Sequence, residues 1–239
     1  MTQTALLVFA RGAGLMFRAP GFTHPSVPVI ARLGMALALA LCVVPGIAAH
    51  ATMDTAAFGI AIAGEVALGS AMGIGASLLY DGAYYAGRMI DDYVGVRGSV
   101  PNAAVTSAQG FGRLWSSVFL AGFFLFDGYA YVVHAFATSF DHVVAGGLVS
   151  PDGWFRFALA LPATIGKAAL MIAAPAIAVV AVVQLALAAV ARVVPRFSSF
   201  TLSFPLIFAA ALLITIATVP LFAPLAAHPW LLAPYAGGR

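Results

Sequence analysis

Residues Thr55 to Tyr80 read TAAFGIAIAGEVALGSAMGIGASLLY and carry a single charge, Glu65. A helix rises about 1.5 Å per residue, so about 20 apolar residues cross the ~30 Å hydrocarbon core of a bilayer. The stretch exceeds that length and shows no apolar–polar alternation, which excludes the short strands of a membrane β-barrel. It therefore predicts a membrane-spanning helix. The pattern recurs on either side. No charge lies between Arg32 and Asp54, none from Ala168 to Ala191 and none from Phe197 to Ala227. Leu114 to Phe140 holds only Asp127 and His134. Thr4 to Phe17 is weaker, being short and interrupted by Arg11. The expectation is an all-α integral membrane protein, a single helical domain over residues 1–239. Its six segments are placed at 4–17, 29–50, 55–93, 114–140, 155–191 and 200–220.

Composition agrees. Of the 239 residues, 63% are hydrophobic and only 8% charged, with a mean hydropathy of +1.04. An ordinary soluble domain is roughly a quarter charged, so the polar shell of a soluble enzyme cannot be built. Disorder is excluded too, since it needs low hydrophobicity and many charges. The net charge of +3 is spread along the chain. It reads as arginines at membrane edges rather than a nucleic-acid surface. Cys42 is the one cysteine, which permits no internal disulfide.

Cytoplasmic loops carry an excess of Lys and Arg. With six crossings, Arg18, Arg32, Arg88, Arg97, Arg113, Arg192 and Arg196 fall on one side, and Arg156 and Arg239 on the other. This bias predicts cytoplasmic odd-numbered loops and both termini outside. Arg32, the apolar run that follows it and Ala49-His50-Ala51 imitate a cleavable leader. They come after another apolar segment, so an uncleaved helix is expected. His228 to Arg239 reads as a frayed end.

A charge at the centre of a spanning helix costs about 2.5–3.5 kcal/mol on insertion scales, so Glu65, Asp127 and Lys167 each need an explanation. Either they form a proton or ion relay, or they satisfy one another inside the protein and at subunit contacts. The second is favoured, with Glu65 and Lys167 as the first pair expected. Gly64, Gly69 and Gly73 leave room for a neighbouring backbone, with Gly69 and Gly73 on one helix face. Pro162, Pro175, Pro205 and Pro220 predict kinked or broken helices.

Enzyme signatures are missing from the sequence. The five histidines, His24, His50, His134, His142 and His228, lie on separate segments without metal-ligand spacing. No G-x-S-x-G and no phosphate loop is found. Neither catalytic residues, metal ligands nor a cofactor are expected.

The local signatures, taken in order, resemble the FliR/SctT family (also SpaR/YscT) of type III secretion export apparatus subunits. Ala10-Arg11, Gly14-Leu15-Met16, Ala19-Pro20-Gly21-Phe22, Pro28 and Arg32-Leu33-Gly34 resemble its opening. Gly64-Glu65 with Gly69 and Gly73 resembles its G-E-x-x-x-G helix. Ala86-Gly87, Ile90-Asp91 and Gly95 resemble A-G-x-x-I-D-x-x-x-G, and Asp91 leans toward the injectisome branch over the flagellar one. Ala174-Pro175, Arg192, Pro195, Phe200 and Ser203-Phe204-Pro205 resemble its late segment. The chain departs from many relatives at Arg196, Ser198 and Leu206-Ile207.

The resemblance implies a structural and gating subunit of the export gate in the bacterial inner membrane. It would be packed as hairpins in a hetero-oligomer with SctR/FliP-type, SctS/FliQ-type, SctU/FlhB-type and SctV/FlhA-type subunits. Unfolded secreted proteins would pass through the conduit, with no catalysis by this chain. It further implies that RGSVPNAAVTSAQGFGR, Arg97 to Arg113, is a plug. Its candidate residues are Arg97, Ser99, Pro101, Asn102, Thr106, Gln109 and Arg113. The rival reading is a proton- or solute-coupled transporter using Glu65 and Asp127.

Overall fold

The computed structural model describes residues 2–23, 27–47, 53–96, 110–193, 200–227 and 234–235, and no strand occurs among them. The helices are α1 (Thr2–Arg18), α2 (Val29–Val43), α3 (Thr55–Val94), α4 (Phe111–Leu125), α5 (Gly128–His142), α6 (Pro151–Val193) and α7 (Phe200–Phe222). The protein is an all-α membrane protein. Among the described residues, four helical stretches are long and apolar enough to cross a bilayer, or five when α4 and α5 are taken as one bent span. The 17-residue α1 is not among them.

Local chemistry sets the ends of the helices. After α1 the chain turns at Ala19–Phe22, where the Phe22 N–H donates to the Ala19 carbonyl at 3.2 Å. Gly21 supplies the φ of +81° that this turn requires after Pro20. Pro28 then stands at the N-cap of α2 in extended geometry, where its missing N–H costs nothing. Gly95, at φ +85°, ends α3, and its N–H donates to the Asp91 carbonyl at 3.1 Å.

The segment expected at 114–140 is two helices, a pair bent by 68°. The break falls at Phe126–Asp127, where Asp127 adopts φ +58°. An aspartate tolerates the left-handed region better than most residues. The four prolines do not end a helix: α6 continues through Pro162 and Pro175, and α7 through Pro205 and Pro220. Each removes one intrahelical hydrogen bond, a loss that a long apolar helix held by its neighbours tolerates.

The chain clusters into two compact units. The first is Met1–Leu78, Phe123–Ala163 and Ala227–Arg239; the second is Leu79–Gly122 and Thr164–Ala226. The 40 residues of α3 and the 43 of α6 run through both. At about 1.5 Å per residue each is about 60 Å long, twice the hydrocarbon thickness. Of the α3 window, 39% is covered by protein, against 11% for the stretch containing α2. α3 is thus more covered than α2, which presents most of its apolar surface outward.

In the first unit, α1 and α3 meet backbone to backbone. A Cβ on Gly69 would lie 1.9 Å from the Arg11 carbonyl oxygen, and one on Gly73 2.7 Å from that of Leu15. Reciprocally, a Cβ on Gly14 would lie 2.4 Å from the Val66 carbonyl oxygen. In the second unit, the fully buried Trp115 of α4 packs edge-on against Phe222 at 5.9 Å. Phe111 packs against Phe208 of α7 at 5.5 Å.

Candidate functional site

Arg11 of α1 and Glu65 of α3 form a fully buried ion pair in the first unit. The seam of glycines brings the two helices close enough for this. The guanidinium forks onto the carboxylate, with Nε donating to Oε2 at 2.5 Å and Nη2 to Oε1 at 3.0 Å. Nη1 donates to Ser139 Oγ at 2.8 Å, and Nη2 also to the Val143 carbonyl at 2.9 Å. The Phe140 ring lies 3.9 Å from the guanidinium carbon. Glu65 Oε1 accepts a further bond from the Gly146 N–H at 2.6 Å, and Gly146 takes φ +82° to aim it.

The cluster thus ties α1, α3, the last turn of α5 and the connection after it into one network. A buried ion pair adds little over apolar packing, but it strongly disfavours any arrangement that separates its members. It fixes which helices meet. The charge of Glu65 is matched within the unit and both its oxygens are engaged, so it serves as a fastener. Pro234–Tyr235 lies beside this cluster. Tyr235 stacks on His142 with ring centroids 5.1 Å apart. Burial pushes the Tyr235 phenol above its ordinary range, and the positive charge of Arg11 pulls it the other way. The C-terminal region expected to fray is therefore docked at these two residues.

A second arrangement lies in the other unit. Asp91, near the end of α3, is 3% exposed. Its Oδ1 accepts from the Phe111 N–H at 2.8 Å and its Oδ2 from the Gly112 N–H at 3.1 Å. The first N–H groups of a helix have no intrahelical partner, so Asp91 caps α4 from a different helix. Gly87 permits the approach, since a Cβ there would lie 2.2 Å from the Phe111 carbonyl oxygen. Ala86 and Ile90 are buried alongside. A carboxylate at a helix N-terminus also meets the favourable end of the helix dipole.

The description "Bacterial export proteins, family 1" matches residues 2–231. The chain belongs to this bacterial export family. It is 24% identical over 221 residues to the flagellar biosynthetic protein FliR of Escherichia coli (strain K12), covering 91% of this chain and 85% of that protein. It is 23% identical over 244 aligned positions to the flagellar biosynthetic protein FliR of Pectobacterium carotovorum subsp. carotovorum, covering 92% and 85%.

Several signature positions of this export-family chain now have a physical role. Arg11, Gly69 and Gly73 build the first cluster and its seam, while Gly87, Asp91 and Gly95 build the second. Pro20 and Pro28 shape the connection between α1 and α2. Arg32 lies over the Phe17 ring at 5.7 Å. Gly64 faces Leu148. Pro175 lies within α6, Arg192 is exposed in its last turn, and Phe200 opens α7. Pro195 lies outside the described residues, as do the plug candidates Arg97, Ser99, Pro101, Asn102, Thr106 and Gln109; Arg113 is exposed in the first turn of α4.

Glu65 is paired with Arg11, not with Lys167 as expected from the sequence. The expected pairing matched charge signs without fixing helix faces or depths. Asp127 is exposed at the break before α5 rather than buried within a span. Lys167 is exposed on α6. Sequence reasoning missed the role of Arg11, although a lone arginine in an apolar segment is itself a signal that an acid must lie opposite. Ser139, the Val143 carbonyl and Gly146 left no such trace.

Asp91→Ala is expected to lower unfolding stability by about 1–2 kcal/mol, as for other lost N-caps. Asp91→Asn should retain part of this. Thermal unfolding of the purified variants in detergent measures both, and an alanine variant as stable as wild type would remove the capping role.

Proposed function

We propose that the chain is a structural and gating subunit of a type III protein export gate in the bacterial inner membrane. The observation that carries this reading is the family match along nearly the whole chain. The buried charges support it: Arg11 and Glu65 are used to fix helix contacts, which suits a component of an assembly. SctR/FliP-type, SctS/FliQ-type, SctU/FlhB-type and SctV/FlhA-type subunits are the proposed companions, and unfolded secreted proteins the cargo. The test is copurification of a tagged chain from its native membrane. These hydrophobic companions should come with it, and isolation as a lone species moving a small solute would overturn the proposal.

Both relatives named above are flagellar proteins. The lean toward the injectisome rests on Asp91, whose capping of α4 has no dependence on cargo. The neighbouring genes decide the branch: hook and rod genes indicate a flagellum, needle genes an injectisome.

The plug assignment covers Arg97 to Arg113. Its support is a composition of small, turn-prone residues and an anchorage at Asp91, where α3 ends and α4 begins. Deleting Ser99 to Gln109 should leave assembly intact and make the membrane leaky to ions and small solutes. Normal ion permeability in an assembled deletion variant would refute it.

A further inference from the structure

Every hydrogen-bond partner seen for the Arg11 guanidinium arrives later in the chain: Glu65 by 54 residues, Ser139 by 128 and Val143 by 132. Arg11 lies near the middle of α1, so its side chain has about two turns of helix on either side and cannot readily reach a membrane surface. A chain made from its N-terminus delivers α1 before anything that can neutralise it. The two charges are not equivalent in this respect. A carboxyl group entering lipid can take up a proton, whereas a guanidinium cannot lose one. α3 contains a stretch long and apolar enough to cross with Glu65 in place, and the 17-residue α1 is not among the stretches that qualify. An unpaired arginine at mid-depth disfavours insertion on the order of a hundred-fold.

We propose that α1 crosses the bilayer only as a dependent of α3, with Glu65 as the residue that carries Arg11 into the apolar phase. The glycine seam makes this possible before the rest of the fold exists. Gly14, Gly69 and Gly73 let the two backbones touch over the stretch that brings Arg11 beside Glu65. Ser139, Val143 and Gly146 then complete the shell when α5 and its following connection arrive. The membrane topology of the N-terminus is thus set by a residue more than fifty positions downstream.

The test uses the full-length chain in cells, with an N-terminal tag whose side of the membrane is read by protease access. In the wild-type chain the tag lies on the side opposite the Arg18–Arg32 connection. Glu65→Gln keeps size and removes the charge, and the ratio of crossed to uncrossed tag should fall about ten-fold or more. Arg11→Leu should keep the tag crossed even though Glu65 loses its partner and the fold is weakened. The double variant R11L/E65L should keep it crossed as well. A purely structural ion pair predicts that the two single variants behave alike. Equal sidedness in Glu65→Gln and Arg11→Leu, a crossed tag in Glu65→Gln, or an uncrossed tag in wild type, Arg11→Leu or the double variant overturns the proposal. Sidedness is read without secretion, so it stands or falls apart from the export role.

Discussion

Replacing either Arg11 or Glu65 with leucine is expected to destabilise the protein by about 3–5 kcal/mol, and replacing both by much less. A single replacement leaves one full charge buried with no counter-ion. In Arg11→Leu the Glu65 carboxylate keeps only the Gly146 N–H among the partners described above. In Glu65→Leu the guanidinium keeps Ser139, the Val143 carbonyl and the Phe140 ring, none of which carries an opposing charge. In the double variant no buried charge remains, and two leucines fill comparable volume. What persists is the Gly146 N–H without its acceptor and the Val143 carbonyl without its donor, at about 1–3 kcal/mol for each polar group left unsatisfied. Unfolding of the three purified variants in detergent gives the coupling energy. Additive losses would show that the pair does not act as a unit.

Gly69→Ala is expected to cost about 3 kcal/mol, at the upper end for an overpacked core. The added Cβ would meet the Arg11 carbonyl oxygen at 1.9 Å, the Arg11 carbonyl carbon at 2.8 Å and the Leu15 nitrogen at 3.0 Å. All three are backbone atoms, so no rotamer change relieves the clash and α1 must shift off α3. That shift also stretches the Arg11–Glu65 fork, which lies one turn away. Gly59 of the same helix is the control. It is exposed and has nothing within 4 Å of a Cβ position. Gly59→Ala should be neutral or stabilising by about 0.5–1 kcal/mol through helix propensity. Equal unfolding midpoints for the two variants would refute the close approach.

These two results probe features that were legible to different degrees. The small-residue face of Gly69 and Gly73 was readable, because a side chain's absence on a helix face is a local fact. Its use against α1 was not. Glu65 stands out as a charge in an apolar run, yet charge sign alone points to Lys167 as its partner. Opposite sign is a weak criterion among helices, since it ignores the face and depth at which each charge sits. The export family resemblance pointed to Asp91 and Gly95 without a physical reason. The reason became visible only when the first N–H groups of α4 were found on the Asp91 carboxylate.

The helical boundaries divide in the same way. Pro20, Gly21 and Pro28 mark the connection after α1, because their backbone restrictions act within a residue or two. The prolines of α6 and α7 predict kinks or breaks, and both helices run on through them. The real break stands at Phe126–Asp127, where no proline lies.

Residue composition alone settled the solvent and the class of secondary structure. Transfer from water to lipid is roughly additive over about 20 neighbouring residues, and a backbone in lipid must satisfy its own hydrogen bonds. The pairing of Arg11 with Glu65, the capping of α4 by Asp91 and the docking of Tyr235 on His142 belong to the folded molecule. Each depends on the rotation and depth of helices brought together from 20 to more than 90 residues apart, and a one-dimensional order of residues does not contain those quantities.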